Sequence, residues 1–84
     1  MALARYFVFN RGRDWLVTLD GAPMARYATK PQALDSAIVM ADLMGSMQHD
    51  ADVMLEDEGK LAIAWTFGAD PLPGSIMEPK HVAA

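Results

Sequence analysis

The sequence predicts an α+β domain of two layers: a mostly antiparallel sheet, in the order β-β-(β)-α-β-β, with one helix packed on it. Three observations carry this. Two pairs of aromatic-rich or alternating segments are each joined by a glycine-containing turn, at Gly12 and at Gly59. Between the pairs, one long stretch from Pro31 to about Met47 has helical apolar spacing and opens on capping residues. Finally, a chain of 84 residues that is 52% apolar and 21% charged has the composition of a single packed domain.

Arg5 to Asn10 reads R-Y-F-V-F-N, aromatic and β-branched, and predicts a strand. Asn10-Arg11-Gly12-Arg13-Asp14 has turn chemistry. Trp15 to Asp20 predicts the second strand, with Trp15, Val17 and Leu19 on one face and Leu16, Thr18 and Asp20 on the other. A turn at Asp20-Gly21-Ala22-Pro23 leads to an optional third strand, Met24 to Ala28, in which Arg26 would guard an exposed sheet edge. Thr29 is the predicted N-cap, with Gln32 at the capping-box position and Pro31 in the first turn. Gly45 costs about 1 kcal/mol in a helix interior and would suit an early helix end. Asp52 to Asp57 is the next strand, followed by a turn at Asp57-Glu58-Gly59-Lys60. Leu61 to Phe67 alternates strictly, placing Leu61, Ile63, Trp65 and Phe67 on one face and Ala62, Ala64 and Thr66 on the other. Residues 1–74 form the expected domain, and 75–84 a mobile tail.

The helix carries more apolar surface than one sheet needs. At 100° per residue, Leu34, Ala37, Ile38, Ala41, Met44 and Gly45 share one stripe. Met40, Leu43 and Met47 fall outside it. Either the tail or a loop covers this surplus, or it is an interface, since large exposed apolar patches mark association. The expected interface residues are Met40, Leu43, Met44 and Met47, joined by Trp65 if the helix packs on the alanine face of the last strand. If it packs on the aromatic face, Trp65 is core.

Charge narrows the function. The net charge is −4, split unevenly. Residues 1–30 carry five cations against two acids, a net of +3, and residues 31–84 two cations against nine acids, a net of −7. An acidic chain is a poor sequence-independent binder of nucleic acid, because that affinity comes from neutralising phosphates. The asymmetry suits pairing between subunits, basic hairpin to acidic strand. Arg11, Arg13 and Arg26 remain candidate nucleic-acid contacts, since a two-stranded ribbon bearing arginines can enter a groove.

No catalytic constellation is visible. With no cysteine, disulfides, thiolate metal sites and cysteine nucleophiles are excluded. The serines lie on the helix or in the tail, and no phosphate-binding glycine string occurs. His49 near Asp50 and Asp52 lacks a second imidazole, and Glu56-Asp57-Glu58-Gly59 lacks the spacing of a calcium loop. Neither metal nor cofactor is expected. No apolar run approaches the roughly 18–20 residues that cross a bilayer. The first residues lack the uninterrupted apolar stretch of a signal peptide. A soluble, cytoplasmic protein is therefore expected.

Several strings together resemble the small bacterial proteins classed as the domain of unknown function 2188 family. They are the hairpin Asn10-Arg11-Gly12-Arg13-Asp14-Trp15, the helix entry Thr29-Lys30-Pro31-Gln32-Ala33, the turn Gly59-Lys60-Leu61 and the closing Phe67-Gly68-Ala69-Asp70-Pro71-Leu72-Pro73. The resemblance spans about residues 5–74, and the closing string is its most specific part. This helix is richer in methionine and poorer in lysine than similar sequences. The resemblance implies a compact α/β module of unsettled function, with no enzyme activity and no catalytic residue. The expected function is a non-catalytic interaction or regulatory module acting as a homodimer, by hairpin exchange or otherwise; the alternative is nucleic-acid binding through the basic hairpin.

Overall fold

The computed structural model describes residues 3–74; the expected tail, 75–84, lies outside the described residues. The elements are β1 (Leu3–Arg11), β2 (Asp14–Leu19), β3 (Ala22–Tyr27), α1 (Lys30–Ser46), β4 (Asp50–Asp57) and β5 (Lys60–Thr66). They form the expected α+β arrangement, a five-stranded sheet ordered β3-β2-β1-β4-β5 with α1 on one face. Three pairings are antiparallel hairpin or meander pairings; β1 and β4 are parallel, because α1 carries the chain back across the sheet.

Local chemistry accounts for the joints. Asp20-Gly21 and Glu58-Gly59 both take positive φ at their two positions, the two-residue hairpin turn whose twist matches that of the strands. Thr29 is extended, and its hydroxyl oxygen accepts from the Gln32 N–H at 3.3 Å, so the cap forms as expected. The helix does not stop at Gly45 but closes after Ser46, with Gln48 at a φ of 71°. The His49 N–H then reaches the Met44 carbonyl at 3.2 Å. Lys30 Nζ lies 2.7 Å from Asp57 Oδ2, and the Tyr27 hydroxyl donates to Ser36 Oγ at 2.6 Å, fastening the helix start to β4 and β3.

The core lies between α1 and one face of the sheet. Ala33, Ala37, Ile38, Ala41 and Gly45 of α1 are buried against Ala4, Tyr6, Val8, Val17, Ala51, Val53 and Trp65. Small helix residues let the helix sit close to the sheet. Tyr6 is only 3% exposed, and its pKa is raised above the ordinary 10.0 by burial first and by the charge of Asp20 second. The unfolded chain therefore releases this proton before the native state does. Stability is flat below about pH 10 on this account, and falls as pH rises from there through the raised native value. Tyr6→Phe should flatten that alkaline loss. Urea midpoints at pH 8 and at about pH 11 measure it; an unchanged alkaline slope in the variant would rule the assignment out.

Candidate interaction surface

The strands alternate, so their other residues form a second face, on which the described residues place no element. The register arranges it in rows running across the sheet. One row reads Arg26, Leu16, Phe9, Glu56, Leu61 from β3 to β5, and the next reads Pro23, Thr18, Phe7, Met54, Ile63. Each row is apolar in the middle. Phe7, Phe9, Leu16 and Met54 are half-buried by their neighbours, whereas Leu61 and Ile63 are 54% and 58% exposed.

A β-bulge decides which side chains of β5 belong here. Trp65 pairs with Val53 and Ile63 with Met54, so Ala64 is an extra residue between them. The insertion breaks the strict alternation expected for 61–67. Trp65 turns to the helix side while Leu61 and Ile63 turn to the open side. Trp65 therefore lies in the core, as expected if the helix packs on the aromatic face, and not on a surface: it is 3% exposed, and its indole N–H donates to the Pro71 carbonyl at 2.9 Å. Phe67 meets it edge-on at 6.3 Å between ring centroids. The segment 67–73 thus folds back over the core. Asp70 Oδ2 accepts from the Thr66 N–H at 2.9 Å, its own N–H donates to the Thr66 carbonyl at 3.0 Å, and Leu72 packs on the core.

A second bulge lies in β3, where Val17 pairs with Ala25 but Thr18 with Pro23, leaving Met24 extra. It opens a shallow hollow on the sheet, lined by Leu16, Pro23, Met24, Ala25 and Arg26.

The charges on the open face are segregated. Arg5 and the buried Asp52 form a forked pair, with Nε–Oδ1 at 3.0 Å and Nη2–Oδ2 at 2.9 Å; hydrogen bonding to Asp52, then its charge, raises the Arg5 pKa. Towards β3, the Arg11 guanidinium lies 5.8 Å from the Phe9 ring centre, and Arg26 stands 3.7 Å from Asp14. Arg13 is exposed in the β1–β2 turn. Towards β4, Asp50 and Glu56 are exposed and acidic. Two of the three expected nucleic-acid contacts, Arg11 and Arg26, so share a face with the phenylalanines.

The helix stripe is divided. Met40 and Met44 are half-buried and pack against the core. Leu43 and Met47 are 61% and 57% exposed, and Val39, 49% exposed, completes a ridge of spacing four opposite the buried side. The one sequence signal of the open sheet face is the run Tyr6-Phe7-Val8-Phe9 in β1. Four successive apolar residues in a strand need cover on both faces, and one helix covers one. Among the described residues, no three histidine or acidic side chains come together to hold a metal, and no helix is long and apolar enough to cross a membrane.

Fold and surface together define an α+β module with one sheet face covered by its helix and the other open. No family model matches the chain, and neither does any curated protein or solved structure.

Proposed function

We propose that this chain is a small, non-catalytic interaction module that works through the open face of its sheet. The observation that carries this reading is the pair of rows built on Phe7, Phe9, Leu16, Met54, Leu61 and Ile63, apolar side chains from four strands with nothing among the described residues upon them. Surfaces of this kind mark association.

The Arg11 guanidinium over Phe9 favours a second reading, nucleic-acid binding. The pairing of Arg26 with Asp14, the acidic β4 side of the face and the net charge of −4 weigh against it.

One set of measurements tests both. Molar mass by light scattering and binding of an apolar fluorescent dye are compared in wild type and in Phe9→Lys/Ile63→Lys, which charges both the middle and the edge of the rows. Either the wild type associates or it binds dye on this face, and the double variant loses that property. A wild-type monomer with the same dye response as the variant overturns the reading. Addition of a single-stranded oligonucleotide should leave the mass unchanged at about 0.15 M salt; a salt-sensitive shift lost in Arg11→Ala/Arg26→Ala would install the second reading instead.

A further inference from the structure

We propose that the partner on the open face is a second copy of this chain, packed face to face about a two-fold axis running along the strands between β1 and β2. This rests on the reading above and names the partner that reading leaves open. The argument is positional. In the row Arg26, Leu16, Phe9, Glu56, Leu61, the arginine and the glutamate are three strands apart, about 14 Å, and two strands separate them. A two-fold midway between them sets Arg26 of each copy over Glu56 of the other, twice. The same operation sets Leu16 over Phe9 in that row, and in the next row Thr18 over Phe7 and Pro23 over Met54.

The Arg26–Glu56, Leu16–Phe9 and Pro23–Met54 appositions are of matched chemistry, and Leu61 and Ile63 of β5 lie just outside the overlap, at its edge. The charged pairs lie at the rim and the apolar ones between, the usual order of a protein interface. Pro23 belongs to the hollow at the β3 bulge, so Met54 of the second copy, an unbranched and adaptable side chain, has a depression to enter. Self-complementarity of one patch is what a closed two-fold dimer requires. Sheets packed this way stay roughly aligned and about 10 Å apart, which the small side chains of Thr18 and Pro23 accommodate. Arg26 is free to turn outward, because its contact with Asp14 is long, at 3.7 Å, and exposed on both sides.

Charge reversal with mixing tests the arrangement. Arg26→Glu alone sets acid against Glu56, and Glu56→Arg alone sets base against Arg26, so each raises the dimer dissociation constant on the order of tenfold or more. Mixed in equal amounts, the two variants face each other with both pairs complementary, and the dimer returns. Light scattering over a concentration series reads all three samples beside the wild type, expected at twice 9.2 kDa. The proposal is overturned by a monomeric wild type, by a dimer indifferent to both single reversals, or by monomeric variants that stay monomeric on mixing. A monomeric wild type whose dye binding is lost in Phe9→Lys/Ile63→Lys removes the second copy as partner and leaves the interaction module standing.

Discussion

Trp65→Ala should cost about 3–5 kcal/mol of unfolding free energy, the range for truncating a fully buried large side chain. A domain of this size has roughly 4–13 kcal/mol in total, so the substitution takes from about a quarter of the stability to all of it. The loss is large because one side chain joins three parts of the molecule. Its ring lies in the core beside Val53, its indole N–H holds the Pro71 carbonyl at 2.9 Å, and its edge meets Phe67. Without it, the segment 67–73 loses its anchor, and Leu72 loses the surface it packs on. Trp65→Phe separates the contributions. It keeps most of the apolar burial and removes the hydrogen bond, for about 1–2 kcal/mol, since the exposed Pro71 carbonyl can turn to water. Urea unfolding followed by circular dichroism gives both values. If Trp65→Ala lost less than about 1 kcal/mol, the side chain would not be in the core, and its expected place at an interface would have to be restored.

The contrast shows what the sequence could convey. The order of elements, the Thr29 cap, the glycine turns and the buried helix stripe are written in local chemistry, and each is found where expected. The parallel pairing of β1 with β4 is not, because it depends on where the crossover lands rather than on any residue in either strand. The bulge at Ala64 is the costlier omission. An alanine in a regular alternation carries no sign that it is the extra residue, yet that one insertion sends Trp65 inward and Ile63 outward. A one-residue slip moves every side chain beyond it to the other face. The helix surplus is therefore legible in the sequence, while the open surface on the sheet is hidden by the bulge. The Arg26–Glu56 relation was equally illegible, since it joins two residues thirty positions apart through the strands between them.

Gly45→Ala should destabilise the protein by about 1–2 kcal/mol, against the sign that helix propensity alone gives. Within a helix, alanine is better than glycine by about 1 kcal/mol, and Gly45 lies in the last turn of α1 with ordinary helical backbone. A Cβ built there, however, would overlap the Phe67 ring at its root as well as along both sides. The root cannot swing away cheaply. The Phe67 N–H donates to the Ala51 carbonyl at 3.0 Å, which pins its backbone to β4, and Trp65 stands against the ring. Either the helix end lifts from the sheet or the 67–73 segment detaches. The decisive comparison is a double-mutant cycle with Phe67→Ala. In that background the obstruction is gone, and Gly45→Ala should become stabilising by up to about 1 kcal/mol. A stabilising effect already in the wild-type background would mean that Phe67 does not sit on the helix. A destabilising effect in both would mean that position 45 is crowded by something else. The reversal of sign is what ties the glycine to its partner: a residue that looks like a helix stop in the sequence is the socket that lets the last strand close over the core.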